Sequence, residues 1–322
     1  MAEKYPMLMN SVFKDYLWGG TRLRDEYGKQ TELDPVAESW ELSCHRDGLS
    51  TIANGDYAGM TLAEYVASDR FSALGSAWKE EKDFPILVKL IDARNPLSVQ
   101  VHPDDAYAAR EENDHGKAEM WLVLAAEPGA TLVYGVNRPL DKSEFRTLIK
   151  ENRLDEVLNR ISVETGDVVF VPPGTLHAIG GGLLIAEVQQ SSNATYRVWD
   201  YGRVGADGRP RALHIDKSVD VTKLFPTPVP PIPGRGIAGE GWRETVLAEC
   251  EYFSVRSMEL EGIRKMLPRE DSFEGITCVR GRCTIQWNDE SLTLPAGSTV
   301  FIPAGAPEYE LSGNAVLLIS GR

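Results

Sequence analysis

The sequence predicts a mainly β chain, two jelly-roll β-barrels in tandem with a few peripheral helices, and three observations predict it. Short runs rich in Val, Ile and Leu, punctuated by Gly and Pro, dominate the chain at the spacing of an antiparallel sandwich or barrel. They fall into two groups, separated by the Pro/Gly-rich segment FPTPVPPIPGRGIAGE. One internal repeat links the groups: Gly166-Asp-Val-Val-Phe-Val-Pro172-Pro-Gly174-Thr-Leu-His177 matches Gly297-Ser-Thr-Val-Phe-Ile-Pro303-Ala-Gly305-Ala-Pro-Glu308.

Each element follows from its residues. PILVKLIDA, LSVQVHP, MWLVLAA, ATLVYGV, DVVFVPPG and GLLIAEVQQ are expected strands of the first barrel, and FSVRSMEL, TCVRGRCTIQW, STVFIPAG and NAVLLIS of the second. Helical periodicity occurs in TLAEYVASDRF, DDAYAAREEN and DKSEFRTLIKENRLDEVLNRI. Helices therefore decorate a β core and do not alternate with strands, which weighs against a doubly wound α/β fold. Proline and glycine at 225–240 favour a stiff, extended connection. The expected organisation is an N-terminal catalytic domain over 1–224, a linker over 225–240 and a C-terminal domain over 241–322. In the repeat, glycine starts the strand, the apolar run is buried, and Pro-x-Gly turns the chain so that the next side chain projects into the barrel. That side chain is His177 in the first copy and Glu308 in the second, so the second copy is expected to be structural and without metal.

Composition narrows the function. The formal charge of −14, from 34 basic and 48 acidic residues, argues against a nucleic-acid partner, which is bound mainly through clustered Lys and Arg. An anionic ligand must find a local basic pocket. Cys44, Cys250, Cys278 and Cys283 show no C-x-x-C spacing, and the N-terminus has no apolar run suited to a signal peptide. The expectation is a cytoplasmic protein with no membrane partner; monomer and homodimer are equally compatible with the sequence.

Gln100, His102, Glu119 and His177 are the candidate metal ligands. In LSVQVHP, Gln100 and His102 are two apart on an expected strand and share a face, with Leu97, Val99 and Val101 on the other. Glu119 starts the next strand, and His177 arrives from the Pro-x-Gly turn. A lone histidine in a β protein is ordinarily a hydrogen-bonded structural residue. Here two of only five histidines fall in segments whose strands can bring them together with Gln100 and Glu119. His, His and Glu also form the facial triad of non-haem Fe(II) oxygenases, while the neutral amide of Gln100 favours zinc by preserving its Lewis acidity.

The chain resembles the type I phosphomannose isomerases of the cupin superfamily, in their short bacterial form. AESWELSCH, PILVKLIDA, LSVQVHPDD, HGKAEMW, VPPGTLHAIGGG and TYRVWDYGR carry the resemblance across essentially the whole chain, in the family's order. It implies a double cupin, one zinc per chain at Gln100, His102, Glu119 and His177, and an active-site arginine at Arg197. The implied substrate is a small sugar phosphate, and the reaction the interconversion of mannose 6-phosphate and fructose 6-phosphate through a cis-enediol(ate). Lys117 or Glu187 is the expected proton carrier. Lys89, Ser98, Glu41 and His45 are the expected substrate contacts, with Lys89, Lys117 and Arg197 as candidates for the phosphate. Lys89 interrupts a buried strand and sits at a barrel mouth or against an anion. In ESWELSCH, alternation places Ser39, Glu41, Ser43 and His45 on one face, lining the sugar site or meeting solvent; His45 also fits a structural role. His115 and His214 read as surface residues. The rival readings are an Fe(II) cupin oxygenase and a non-catalytic sugar-binding cupin.

Overall fold

The computed structural model describes residues 4–69, 71–81, 83–204 and 208–322. The fold is mainly β, as expected, and all strand pairings are antiparallel. Two sheets build the N-terminal unit. The six-stranded sheet runs in the order Val168–Val171, Glu119–Ala126, Leu183–Gln190, Ile86–Ala93, Glu38–Leu42, Val12–Lys14. The five-stranded sheet runs Leu158–Ser162, Thr131–Val136, His177–Ile179, Val99–Val101, Tyr196–Trp199.

The apolar runs of PILVKLIDA and LLIAEVQQ are continuous because the six-stranded sheet is covered on both faces. Ile91, Ile185, Trp121 and Val123 pack with Leu132, Tyr134 and Ile179 of the five-stranded sheet. Val88, Leu90, Val188 and Met120 face away and join Met258, Leu317 and Phe301 of the C-terminal unit. The outer face of the five-stranded sheet, with Val99, Val101, Ala178 and Val198, packs on Phe145, Leu148 and Ile149 of a helix.

Helices form over Leu62–Ser68, Asp105–Glu111 and Lys142–Lys150. The first carries a Thr61/Glu64 capping box, and Asp104 and Asp141 cap the other two, each cap satisfying otherwise orphaned N–H groups. The helical reading of 141–161 overruns. Asn152 takes a left-handed conformation (φ 57°) that stops the helix, and after a 3₁₀ turn Leu158–Ser162 pairs with Thr131–Val136 as a strand. Short helices over Arg22–Asp25 and Ile215–Val221 had no signal in the sequence reading.

Regular structure stops after Val221 and resumes at the Gly236–Gly239 strand. From there most of the C-terminal chain forms one nine-stranded sheet, which also takes in Met7–Asn10 and Thr51–Ile52 from the N-terminal part. The repeat is visible in the backbone. Gly166 and Gly297 start the strands Val168–Val171 and Thr299–Ile302 at φ 96° and 90°, and Gly174 and Gly305 turn the chain after them at φ 81° and 71°, angles that favour glycine. The copies part at the last position. His177 is fully buried, whereas Glu308 is exposed and its neighbour Tyr309 turns inward, so the expectation that residue 308 projects into the interior fails by one residue.

Candidate metal centre and active-site cavity

Register places the functional side chains. His177 pairs with Gln100 and Gln100 with Arg197 across three strands, so the three form one row on the inner face of the five-stranded sheet. Opposite them, Trp40, Lys89, Glu187 and Trp121 form one row of the six-stranded sheet. Glu119 lies two residues beyond Trp121 on the same face, and His102 follows the Val99–Val101 strand.

His102, Glu119 and His177 converge, with ligand atoms within 4.8 Å of one another and all three side chains buried. His102 Nδ1 lies 2.9 Å from the carbonyl of Ala194, and His177 Nδ1 lies 2.8 Å from the carbonyl of Thr175. A carbonyl only accepts, so each Nδ1 donates and each Nε2 keeps its lone pair. Those lone pairs point at Glu119 Oε1 from 3.2 and 2.9 Å. Neither Glu119 oxygen receives a hydrogen bond of good geometry. Lone pairs facing a buried carboxylate repel one another unless a cation sits among them, so this donor set fits a divalent metal. Gln100 brings its amide to 3.4 Å from His177 Nε2, and turning the amide over presents its oxygen to the same point.

Charge balance agrees. Burial, reinforced by the Lys117 ammonium, pulls the His102 pKa down to about 3, so the imidazole is neutral. Burial pushes Glu119 up, but the Lys117 ammonium beside it outweighs burial and holds the carboxyl well below its usual range. Lys117 is itself buried, with Nζ 3.1 Å from Glu119 Oε2 and 3.2 Å from His102 Nε2.

Beside this centre lies a cavity of about 280 Å³, lined by Lys89, Ser98, Gln100, Lys117, Glu187 and Arg197 among others. Lys89 Nζ reaches Glu187 Oε2 at 3.2 Å and Glu38 Oε2 at 3.8 Å. Burial alone would strip its proton, but the two carboxylates outweigh burial and raise its pKa. Trp121 Nε1 donates to Glu187 Oε1 at 2.9 Å. Burial nevertheless raises the Glu187 pKa against the pull of Lys89, leaving a carboxyl poised to exchange a proton. Arg197 donates Nη1 to the Ala212 carbonyl at 3.0 Å, and its buried Nε has no partner among the described residues.

Two expected contacts lie elsewhere. Glu41 turns towards the C-terminal unit, bound to Lys29 Nζ at 2.5 Å and to the Thr299 hydroxyl at 3.2 Å. His45 lines a separate, larger hollow of about 780 Å³ together with Cys44 and Asp83, its Nδ1 accepting from the Asp47 N–H. The face of ESWEL that carries Ser39 and Glu41 is not the one that borders the cavity. A register shift between Trp40 and Leu42 breaks the period, and both faces are buried, so polarity carries no information there. Glu38 and Trp40 are the residues that face Lys89, joined by a 2.7 Å bond from Trp40 Nε1 to Glu38 Oε2. Leu97 likewise lines the cavity instead of the outer face, because the strand starts only at Val99. His214, read as a surface residue, is half-buried: its Nδ1 accepts the Arg197 N–H at 3.0 Å and its own N–H donates to the Arg197 carbonyl at 2.8 Å.

Comparison with known proteins agrees with this geometry. Residues 7–126 match the family described as phosphomannose isomerase type I, catalytic domain, and residues 243–321 match mannose-6-phosphate isomerase, cupin domain. The chain is 36% identical to the mannose-6-phosphate isomerase of Streptococcus mutans, with 99% of this chain and 98% of that protein covered. It is 37% identical to mannose-6-phosphate isomerase ManA of Bacillus subtilis, with 98% of each covered. The crystal structure of the mannose 6-phosphate isomerase from Bacillus subtilis superposes with a TM-score of 0.91 at 35% identity, covering 98% of this chain and 99% of the other. Full-length identity at this level, together with the buried His102, Glu119 and His177 cluster, shows that the chain belongs to the type I phosphomannose isomerase family of aldose–ketose isomerases.

Proposed function

We propose that this protein interconverts mannose 6-phosphate and fructose 6-phosphate by proton transfer between C1 and C2 through a cis-enediol(ate). The observation that carries the reading is the convergence of two imidazole lone pairs and a carboxylate beside a cavity holding Lys89, Glu187 and Arg197. Relatives named as mannose-6-phosphate isomerases over nearly their full length favour it over an oxygenase or a sugar-binding protein. His102, Glu119, His177 and Gln100 would hold one zinc, which when bound supplies Lewis-acid polarisation of substrate oxygens. Glu187 takes the proton from one carbon and returns it to the next, since burial tunes its carboxyl upward and Trp121 and Lys89 fix its orientation. Arg197 faces the negative charge that develops on the enediolate oxygens. Lys117 keeps Glu119 ionised and is the alternative proton carrier. Lys89 sits between Glu38 and Glu187 and offsets part of their charge, which eases the burial of both carboxyl groups.

The same reading assigns catalysis to residues 1–224, a metal-free role to 241–322, and the cytoplasm as the location. No helix among the described residues is long and apolar enough to cross a membrane. One coupled assay tests the reaction: mannose 6-phosphate in, fructose 6-phosphate out, with and without a chelator. Turnover should stop on chelation and return with added zinc. A metal-stripped protein with undiminished turnover would refute the metal assignment, and no turnover in the zinc-loaded protein would refute the reaction.

A further inference from the structure

We propose that Arg211, held by Asp200 and braced by Arg203, anchors the phosphoryl group of the substrate at the open edge of the five-stranded sheet. This inference rests on the sugar-phosphate reading above and assigns its anionic end.

Three guanidinium groups and one carboxylate meet just past the Tyr196–Trp199 strand. Arg211 donates Nε to Asp200 Oδ2 at 2.7 Å and Nη2 to Asp200 Oδ1 at 2.6 Å. Arg203 donates Nη2 to Asp200 Oδ1 at 2.5 Å and Nη1 to the Pro96 carbonyl at 2.6 Å. Asp200 is 5% exposed, so both arginines are fixed from below by a buried carboxylate. Burial would raise the Asp200 pKa, but the two guanidinium groups outweigh it and keep the carboxyl ionised. Among the described residues, Asp200 is the only acidic partner that either arginine has in this cluster. With Arg197 close enough to be repelled by both, three positive groups against one negative leave a local excess of two, inside a protein of net charge −14.

Arg211 and Arg197 both line the cavity that holds Lys89 and Glu187. Arg211 spends one edge of its fork on Asp200, and no side chain or carbonyl among the described residues accepts from its Nη1. A planar guanidinium fixed on one edge and open on the other suits a phosphate better than a freely moving lysine does. Position supports the assignment. Arg197 stands two strands from His177, about 10 Å at ordinary strand spacing, and Arg211 attaches beyond Arg197 at the strand's end. An open-chain hexose phosphate carries its carbonyl and its phosphate at opposite ends. The metal centre borders the His177 end of the His177–Gln100–Arg197 row, and Arg211 borders the same cavity beside Arg197 at the other. Lys89 and Lys117, the other cations of the cavity, are already paired with Glu38, Glu187 and Glu119.

The test uses the zinc-loaded full chain. Arg211→Gln should raise KM for mannose 6-phosphate about tenfold to a hundredfold while kcat changes little, the loss expected for one charge-assisted contact to a remote group. Inhibition by inorganic phosphate should weaken in parallel, and Arg211→Lys should restore part of both. Whatever turnover of unphosphorylated mannose the unmutated protein shows should fall far less than turnover of the phosphorylated sugar. An unchanged KM and an unchanged phosphate inhibition constant in Arg211→Gln would overturn the proposal, as would an equal loss on phosphorylated and unphosphorylated sugar. In the unmutated protein, inorganic phosphate should shield Arg211 from phenylglyoxal, read by peptide mass, and labelling indifferent to phosphate also overturns it. Protection of Arg211 in a protein that fails to isomerise mannose 6-phosphate would sink the reaction and leave this site standing.

Discussion

Both units turn charged side chains towards an interior, and they treat them in opposite ways. In the N-terminal unit, Glu119, His102 and His177 aim lone pairs at one point, and the nearby cations and carboxylates border a cavity. In the C-terminal unit, Glu244, Arg256 and Tyr309 lie on the same face as the core residues Met258, Leu317 and Ile319. There the charges close on one another. Arg256 bridges Glu244 and Glu274, Arg264 adds a second bond to Glu244 at 2.6 Å, and the Tyr309 hydroxyl donates to Glu274 at 3.3 Å. Two arginines neutralise two glutamates. The two interiors thus differ in what is left over, unpaired acceptors at Glu119 in the first and paired charges in the second.

Removing one group from each interior should separate these roles. The largest effect is expected in the metal centre: His102→Ala should lose bound metal and lower turnover by more than about 10³-fold, since metal stabilisation is worth several kcal/mol. Metal analysis and the coupled assay on the same preparation check both. Arg197→Ala should keep its metal yet lose about 10²- to 10³-fold in kcat, the size seen when one donor to a developing oxyanion is removed. Full activity in Arg197→Ala would remove that residue from the chemistry.

Glu274→Gln probes the other interior. It leaves Arg256 with one carboxylate instead of two, and breaking a buried pair this way costs about 3 kcal/mol, the lower end of the usual range because the Arg256 side chain is 24% exposed. The melting temperature should fall by several degrees while metal content and KM stay unchanged. A variant that lost metal instead would show that the two interiors are coupled. His214→Ala should give a smaller effect, lowering kcat by about tenfold at most, because it removes one acceptor from the Arg197 backbone N–H. Metal content should not change, and His214→Asn, which can offer an acceptor from the same position, should recover part of the rate.

The sequence showed the metal centre better than the cavity around it, for a physical reason. His102, Glu119 and His177 stand out because buried titratable groups are rare on apolar strands, and Lys89 and Glu187 interrupt theirs in the same way. Glu38 and Glu41 could not be told apart. Both lie on a strand buried on each side, and only the register shift beside Trp40 decides which one reaches Lys89. Arg211 and His214 are held by Asp200 and the Arg197 backbone, contacts that form only after the chain has returned across the sheet edge. The Leu158–Ser162 strand was hidden for a similar reason. Its residues suit a helix locally, and pairing with Thr131–Val136 outweighs that preference.

The closed interior also gives the protein an acid limit, the smallest of the expected effects. Burial pushes the Glu244 carboxyl up, but Arg256 and Arg264 outweigh it, so the folded pKa lies below the ordinary value of 4.5. In the unfolded chain this carboxyl binds its proton near 4.5, so between that pH and the lower folded pKa the unfolded state holds more protons. Stability from Glu244 is therefore fully present above pH 4.5 and is lost as pH falls through the folded value. Melting temperature measured from pH 6 to pH 3 should drop on the acid side of about 4.5, and Glu244→Gln, which has no proton to gain there, should start lower and fall less steeply. Parallel curves for the two proteins would mean that Glu244 contributes nothing to the acid response, and coincident ones that its bonds to Arg256 and Arg264 do not hold the C-terminal interior together.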